Sequence, residues 1–378
     1  KNGFAFDLMK AQLLLAKLED EQHELERHAE EEFEPTIVEL KTKTKKIPFN
    51  IASRKQIADR LMERGWEPTK LTDKGNVIVN EDVLSKIKMP EAQMFSRYFL
   101  LQKRTGLLKA WIKECGEDMR VRGRVLTLKT ITGRMAHHSP NMAQVPAVYS
   151  PYGKECRELW TVSNAQTHQL VGTDASGLEL RCLAHYMKDA DFTNEVLTGD
   201  VHTANQHAAG LSNRDQAKTF IYAFLYGAGP AKIGKIVGGG PGKGQKLISK
   251  FLSNMPALRT LRSNVQEAAQ NGSIKGLDGR RLMIRSEHAA LNTLLQGAGA
   301  IVCKQWLVEI DKRVRKSGLD AKLVASVHDE YQFEVAKPDI NRFTKITKEA
   351  MYQTQKVFSF KCDLDSDYKV GNNWAETH

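Results

Sequence analysis

The chain has 378 residues, of which 41% are hydrophobic and 27% are charged, a composition typical of a globular protein with a sizeable buried core. No apolar run approaches the roughly 20 residues that span a bilayer, so we expect no membrane partner. The net charge of +11 favours a polyanionic partner such as nucleic acid, although a basic enzyme without one fits the charge equally well. The five cysteines are widely spaced and lack a CxxC pair, which argues against a disulfide framework or zinc knuckle and fits a reducing cytoplasm.

Hydrophobic spacing predicts helices in the first third of the chain. Apolar residues recur at helical intervals over residues 4–32, and Ser53 is placed to cap a helix over residues 53–66. A further helix is predicted over residues 90–114. Between the first two helices lie Lys41, Lys43, Lys45 and Lys46. We interpret this basic segment as a solvated loop, with contact to a phosphate backbone as the alternative.

Strand and helix patterns alternate in the rest of the chain. Strands and hairpins are predicted over residues 119–146, 168–176, 274–284 and 323–335, and helices over 177–187, 201–270 and 289–316. This order predicts an α+β fold in which a sheet is interrupted in sequence by a helical insertion. A separate helical region lies at the start.

A glycine-rich segment at residues 234–246, GKIVGGGPGKGQK, superficially resembles a phosphate-binding loop. The spacing GxxxxGK[ST] is not met, because Val237 stands where the first glycine is required and Gly244 follows Lys243. We therefore interpret the segment as a flexible turn between helices.

Two aspartates stand where strands end. Asp329 lies between His328 and Glu330 at the predicted tip of a hairpin, and Asp174 ends the strand that precedes a helix. A helix cap explains Asp174 taken alone, but a buried carboxylate such as Asp329 is costly without a partner or a metal. If the two strands are neighbours, both aspartates could bind one Mg²⁺ site in which a triphosphate supplies further ligands.

The segment NRDQAKTFIYAFLYGAG carries a second constellation. Its members Arg214, Lys218, Tyr222 and Tyr226 recur every four residues, so they share one face of a helix. Two cations followed by two aromatic rings match the phosphates, sugar and base of a nucleotide. A core-facing aromatic stripe with charges at the surface explains the pattern equally well.

These segments resemble three motifs of the family A (Pol I-type) DNA polymerases. DASGLELR is similar to motif A, DxSxxELR; RDQAKTFIYAFLYG is similar to motif B, RxxxKxxx[FY]xxxYG; and VHDE is similar to motif C. Residues 132–146, 199–203 and 290–300 match further segments of the family. The segments SPYGKECR, CLAHYM and GNNWAETH resemble the branch of replicative polymerases from T-seven-like phages. The resemblance covers essentially the whole chain, most firmly from residue 130 onward.

The resemblance implies a right-hand polymerase fold with an antiparallel palm sheet interrupted by a helical fingers insertion. The thumb would cover residues 1–113, the palm 114–185 and 293–378, and the fingers 186–292. The implied function is template-directed extension of a primer 3′-hydroxyl with dNTPs by two-metal-ion nucleotidyl transfer, in phage DNA replication.

The resemblance also implies roles for single residues. Asp174 and Asp329, with the carbonyl of Ala175, would bind two Mg²⁺ ions, which Mn²⁺ can replace. Arg214, Lys218 and His202 would bind the triphosphate, with Lys218 also donating a proton to pyrophosphate. Tyr222 would pack beneath the sugar, Tyr226 would lie near the template base, and Glu179 would exclude a ribose 2′-hydroxyl. A tyrosine at position 222 implies tolerance of dideoxynucleotides. The implied minor-groove contacts are Arg134, Gln296, His328, Asn141 and Gln144.

The implied partners are primer-template DNA and dNTPs, and we expect a monomer in the host bacterial cytoplasm. The thumb insertion that recruits thioredoxin in the phage branch is short here, around ELKTKTKKIPFN, so a thioredoxin-type processivity factor is not expected. The 3′–5′ proofreading domain that usually precedes this region is not in the sequence. Because the first residue is Lys1 rather than Met, we expect a fragment or a processed product.

Two other functions compete with DNA synthesis. A single-subunit RNA polymerase shares the palm and a related RxxxK helix, but Glu179, and less strongly Glu330 after His-Asp, argue against it. A catalytically silent basic DNA-binding module fits the charge. It leaves Asp174 and Asp329 unexplained, because their negative charge repels DNA unless a metal is bound.

Overall fold

The fold combines long α-helices with small antiparallel sheets. The computed structural model describes residues 2–40 and 43–378, and no helix within them is long and apolar enough to cross a membrane. The elements up to residue 161 are β1 (Phe4–Phe6), α1 (Leu8–Glu32), β2 (Thr36–Leu40), β3 (Lys43–Ile47), α2 (Arg54–Glu63), α3 (Glu81–Leu84), α4 (Pro90–Lys113), β4 (Arg120–Val121), β5 (Arg124–Leu126), β6 (Ala136–His138), α5 (Gly153–Glu158) and β7 (Trp160–Thr161). Those that follow are β8 (His168–Ala175), α6 (Leu178–Met187), α7 (Ala190–Leu197), α8 (Val201–Ala209), α9 (Arg214–Leu225), α10 (Pro230–Ile236), α11 (Pro241–Asn254), α12 (Pro256–Ala269), β9 (Ser273–Lys275), β10 (Arg281–Met283), α13 (Ala290–Ser317), β11 (Ala321–Val327), β12 (Glu330–Ala336), α14 (Ile340–Val357) and β13 (Ser366–Gly371).

The chain divides into two compact units. The larger consists chiefly of Gly123–Gln144 and Val162–His378, and the smaller of Ala5–Arg122 and Val145–Thr161. This division does not separate thumb, palm and fingers, so their boundaries stay predictions. Every residue that the sequence analysis assigns to the site belongs to the larger unit.

The larger unit is built around a four-stranded antiparallel sheet in the order β11-β12-β8-β13. The predicted strand over 168–176 and the predicted hairpin over 323–335 are both confirmed, as β8 and as β11 with β12. The chain leaves this sheet after β8 and returns only at β11, after helices α6 to α13. The predicted α+β fold with a helical insertion is therefore confirmed.

Buried aromatic side chains hold α13 and α14 in the core of this unit. Trp306 of α13 is fully buried, and its indole N–H donates to the Thr347 carbonyl oxygen of α14 at 2.8 Å. The rings of Phe333 in β12 and Phe343 in α14 lie 4.7 Å apart. Because a buried N–H is costly without an acceptor, the Trp306 bond fixes one orientation of α13 against α14.

In the smaller unit, α1 and α4 enclose a cluster of three rings. The centroids of Phe33, Phe49 and Phe95 lie 4.5–5.8 Å from one another. The predicted helix over 4–32 was wrong at its start, because Phe4–Phe6 forms strand β1. The Asp7 side chain accepts the backbone N–H of Lys10 at 3.0 Å and so caps α1.

The basic segment that follows α1 is not the loop that we predicted. Strands β2 and β3 pair in an antiparallel hairpin, with Thr36 opposite Ile47. Lys41 lies outside the described residues, and nothing tests contact of this segment with phosphate. The helices predicted over 53–66 and 90–114 are confirmed as α2 and α4, and the Ser53 hydroxyl caps α2.

Helices α10 and α11 approach each other through glycines of the segment that we predicted to be a turn. Only residues 237–240 connect the two helices, because α10 extends to Ile236 and α11 begins at Pro241. A Cβ atom added to Gly244 would lie 2.0 Å from the Pro230 carbonyl oxygen and 2.6 Å from the Gly234 nitrogen. The missing side chain is therefore what permits this contact.

Replacing this glycine tests the packing of α10 on α11. Gly244→Ala should lower the free energy of unfolding by about 1–3 kcal/mol, because the added carbon overlaps backbone atoms that cannot rotate away. Gly242→Ala is the matched control, since nothing lies within 4 Å of a Cβ added there. It should change stability by less than about 1 kcal/mol. Chemical denaturation of both variants measures the difference, and equal effects would show that the contact does not restrict residue 244.

Candidate active site

Pairing of β8 with β12 brings the two predicted catalytic aspartates together. Glu330 lies opposite Asp174 in the sheet, so Asp329 is at the hairpin tip beside the end of β8. The backbone N–H of Ala175 donates to the Asp329 carbonyl oxygen at 3.1 Å. His328 has φ +57°, a left-handed conformation that makes the tight turn at this tip.

Acidic side chains occupy facing positions on three neighbouring strands. Asp174 of β8 is paired with Glu330 of β12 on one side and with Asp367 of β13 on the other. Directly opposed residues project from the same face of a sheet, and like charges there repel one another. Partial loss of hydration, then repulsion by Asp329, Glu330 and Asp367, raises the pKa of Asp174 to about 7.

Glu330 is the member of this group whose carboxylate is bound by other side chains of the protein. The buried carboxylate accepts hydrogen bonds from Trp374 Nε1 at 2.6 Å and Gln332 Nε2 at 2.7 Å, and pairs with His378 Nδ1 at 2.6 Å. Burial alone would raise the pKa of Glu330, but these partners outweigh it and hold the pKa below its usual value. Glu330 thus stays ionised beside Asp174.

The two aspartates offer ligands that suit a divalent cation. Within residues 2–40 and 43–378, no hydrogen bond or ion pair reaches the carboxylate of Asp174 or of Asp329. No group of three or more His, Cys, Asp and Glu side chains within these ranges is placed to bind one ion. Two carboxylates suffice for Mg²⁺ where substrate phosphates complete its coordination. Unpartnered, mutually repelling carboxylates fit such an ion.

Helix α9 carries the predicted nucleotide-binding stripe. Lys218 is exposed, and the described part of the chain provides no ion pair to it. Arg214 starts the helix, and its Nε donates to Asp200 Oδ2 at 2.6 Å. Tyr222 is half-buried, and burial together with the charges of Glu179 and Asp329 raises the pKa of its hydroxyl. Because the Asp329 charge acts on Tyr222, the stripe lies close to the sheet surface that carries Asp174, Glu330 and Asp367, here called the acidic face.

His202 lies in the first turn of α8 beside this stripe. Its ring centroid is 6.0 Å from that of Tyr222. Burial and the positive charges of Arg214 and Lys218 lower the pKa of His202. Its buried Nδ1 has no hydrogen-bond partner among the residues described.

Three predicted residues form a hydrogen-bonded chain around Glu179. The Tyr226 hydroxyl donates to Glu179 Oε1 at 2.6 Å, and Arg134 Nη2 lies 3.4 Å from the same oxygen. Burial and the Glu179 charge raise the pKa of Tyr226, which keeps its hydroxyl protonated as a donor. The Glu179 side chain is therefore held in one orientation by Tyr226, which follows α9, on one side and by Arg134, which precedes β6, on the other.

The remaining predicted DNA contacts are placed differently. His328 is exposed and Gln296 is half-buried on α13, while Asn141 accepts the Ala143 backbone N–H at 3.1 Å within its own turn. The Gln144 backbone N–H donates to the Asn141 carbonyl oxygen at 3.1 Å. In the described ranges, no hydrogen bond joins Asn141, Gln144 or Gln296 to a predicted site residue outside this group. The structure therefore groups Arg134 with the acidic face but does not link these three to it.

Two cavities border the acidic face. A small one of about 20 Å³ has room for about one water molecule. It is lined by Arg134, Met135, Leu178, Gly299, Ala300, Cys303, Lys304, His328 and Asp329. A larger one of about 310 Å³ is lined by Gly172, Thr173, Asp174, Glu330, Asp367, Tyr368, Lys369, Thr377 and His378. Asp174 thus opens onto space that a ligand can enter, whereas Asp329 lines the smaller cavity.

Sequence reasoning missed four residues of this region. Asp200 lies in the matching segment 199–203, and Trp374 and His378 lie in the matching segment GNNWAETH, but the resemblance assigns no role to any of the three. Asp367 was not noticed, although the alternation in LDSDYKVG indicates a strand. Its pairing with Asp174 is not readable from either segment, because the two lie far apart in the chain.

The comparison with protein families decides the membership of this chain. A family model for DNA polymerase family A matches residues 16–376. The chain belongs to DNA polymerase family A. It is 41% identical to the DNA-directed DNA polymerases of Enterobacteria phage T3 and Escherichia phage T7, over 89% of this chain and 54% of each relative. DNA polymerase I of Bacillus subtilis is 27% identical, over 87% of this chain and 40% of the relative.

The resemblance to family A is thus confirmed, and the chain spans about half the length of the phage relatives that it matches. Among solved structures, the POL domain of Pol1 from M. smegmatis, in complex with DNA primer-template and dNTP, has the same fold. The TM-score is 0.86, covering 99% of this chain and 68% of that one at 20% identity. The polymerase fold expected from the motifs is confirmed.

The repulsion at Asp174 predicts a pH-dependent stability. Because its pKa rises from 3.8 to about 7 on folding, the folded protein binds the extra proton between these values and loses stability as pH rises through them. Asp174→Asn removes that loss. Since the side chain is open to solvent, we expect a gain of about 1 kcal/mol at pH 8 in EDTA, and a smaller gain at pH 5.

Chemical denaturation at the two pH values measures this effect. Adding Mg²⁺ should stabilise the wild type more than Asp174→Asn, because the ion needs the carboxylate that the variant lacks. If Asp174→Asn raised the free energy of unfolding equally at pH 5 and pH 8, the raised pKa of Asp174 would be contradicted.

Proposed function

We propose that this chain extends the 3′-hydroxyl of a DNA primer with dNTPs, as directed by a template, and that it acts in phage DNA replication. The observation that carries the proposal is the pairing of β8 with β12, which sets Asp174 beside Asp329 in a member of family A. The phage relatives are named DNA-directed DNA polymerases, and the M. smegmatis structure contains primer-template and dNTP. Both support primer-template DNA and dNTPs as the partners of this chain.

Asp174 and Asp329, with the Ala175 carbonyl, would hold two Mg²⁺ ions, for which Mn²⁺ can substitute. When bound, the ions would supply Lewis-acid chemistry at the primer hydroxyl and at the leaving pyrophosphate. The chain's own part is to present unpaired carboxylates from strands whose register is fixed by the sheet. Trp374 and His378 hold the Glu330 carboxylate in place, so this residue adds negative charge to the site at a fixed position.

Arg214, Lys218 and His202 would bind the triphosphate. Lys218 is exposed and unpaired in the described part of the chain, so it can reach an anion and donate a proton to the pyrophosphate as it leaves. Tyr222 would pack beneath the sugar. Positioning of primer and nucleotide by these side chains would supply much of the rate acceleration.

Glu179 would select deoxyribose. Its orientation is held by Tyr226 and Arg134, so a 2′-hydroxyl next to it could not displace the carboxylate without breaking two contacts. Arg134, His328 and Gln296, with Asn141 and Gln144, would contact minor-groove acceptors that all correct base pairs share. Such contacts check the shape of the pair without demanding a sequence.

Removing Asp329 tests the catalytic proposal. Asp329→Ala should reduce Mg²⁺-dependent primer extension by roughly 10³-fold or more, because the site loses one of its two carboxylates. Primer-template affinity should stay within about tenfold, or 1.4 kcal/mol. The control Asp311→Ala removes an exposed carboxylate of α13 that pairs with Arg315, and should leave extension unchanged. Undiminished extension by Asp329→Ala would eliminate this aspartate from the site.

Sugar selection has its own test. Glu179→Ala should raise the ratio of ribonucleotide to deoxynucleotide incorporation by about tenfold or more, since the group that crowds the 2′-position is gone. Glu267→Ala, at an exposed position on α12, is the control. Single-nucleotide extension with rNTPs and dNTPs on one primed template gives the ratio. An unchanged ratio would remove Glu179 from this role, and a wild type that prefers rNTPs would favour an RNA polymerase.

A further inference from the structure

Asp200 joins the first turns of two helices that carry predicted phosphate-binding residues. As the cap of α8, it accepts the backbone N–H groups of His202 at 3.1 Å and Thr203 at 3.4 Å. Its other oxygen, Oδ2, accepts Thr203 Oγ1 at 2.8 Å and Arg214 Nε at 2.6 Å. One carboxylate therefore fixes the start of α8 relative to the start of α9.

The contact uses only one part of the Arg214 guanidinium. Asp200 accepts from Nε, and in the described residues neither Nη1 nor Nη2 has a hydrogen-bond partner. A guanidinium carries five N–H donors in a planar fork, and its terminal Nη pair can bind a phosphate in bidentate fashion. Binding Nε therefore orients the plane of the fork while leaving its terminal donors free.

The pair is too exposed to act by neutralising Arg214. The side chains are 50% and 43% exposed, and ion pairs in such surroundings contribute little stability. Their main effect is to restrict the side-chain conformations of an otherwise flexible arginine. A binding group that is already ordered loses less entropy when its ligand arrives, which favours affinity.

We propose that Asp200 is a positioning residue for nucleotide binding, which holds Arg214 so that its two terminal Nη groups are free for the phosphates of the dNTP. The inference rests on the proposed function, because it requires that Arg214 binds the triphosphate. Asp200 itself does not touch the nucleotide. Its effect should therefore be on the KM for dNTP and not on kcat.

Asp200→Ser separates this role from helix capping. Serine caps helices about as well as aspartate, but its side chain is too short to hold the Arg214 guanidinium. We expect the KM for dNTP to rise about fivefold, with kcat changed less than twofold. Asp200→Asn keeps both the cap and the side-chain volume and removes the charge, so it should raise KM in the same direction by a smaller factor. Its melting temperature should match that of the wild type.

A double-mutant cycle with Arg214→Ala assigns the effect. If Asp200 acts through Arg214, Asp200→Ser should not raise KM further once Arg214→Ala is present. An additional increase in that background, or a KM unchanged in Asp200→Ser alone, would overturn the inference. Asp311→Ser is the control, because it breaks an exposed Nε pair of similar geometry, Asp311 with Arg315 at 2.9 Å. Its KM should equal that of the wild type.

The cycle also separates this inference from the proposed function. A KM unaffected by Arg214→Ala would show that Arg214 does not bind the nucleotide, which overturns the role on which both depend. A KM raised by Arg214→Ala but not by Asp200→Ser would leave the proposed function in place and overturn only the positioning role of Asp200.

Discussion

The antiparallel register of β8 with its two neighbours is the constraint on which the site depends. It places Asp174 opposite Glu330 and Asp367 and sets Asp329 at the adjoining turn, so carboxylates from three strands share one face. A sheet ordinarily avoids opposing like charges, and burial together with this repulsion raises the pKa of Asp174. The backbone hydrogen bonds of β8 hold these groups together against that repulsion, which the proposed cation would relieve.

The acidic side chains of the site differ in whether other side chains bind them. Glu330 is buried and bound by Trp374, Gln332 and His378, so its charge is fixed in position. Asp174 and Asp329 lack such partners within the described ranges, and each lines a cavity. The hydrogen-bonded arrangement of Glu330 stabilises the fold, whereas the carboxylate oxygens of Asp174 and Asp329 remain available to bind a ligand. Arg214 combines both arrangements: its Nε donates to Asp200, and its terminal Nη groups have no hydrogen-bond partner among the described residues.

Short sequence patterns correctly predicted the elements that are stabilised by contacts between residues close together in the chain. Ser53 and the helix after it were found because a cap and its first turn lie next to each other in the chain. Strand β1 was missed because Phe4–Phe6 is extended through its pairing with β4 and β7, which lie beyond any sequence window. Motif resemblance predicted the residues of the candidate site. The sequence did not reveal that Trp374 and His378 bind Glu330, or that Asp367 lies opposite Asp174. Those contacts join residues that only tertiary structure brings together.

The position of helices α6 to α13 between β8 and β12 has a consequence for how the protein matures. The helices are stabilised by contacts between near neighbours, while the pairing of β8 with β12 must close a loop that runs from Ala175 to Glu330. Closing so long a loop costs entropy and is slow, so the helical layer should form first. We therefore expect the crowded carboxylates to come together late in folding, so that the proposed divalent ion would stabilise the completed native state.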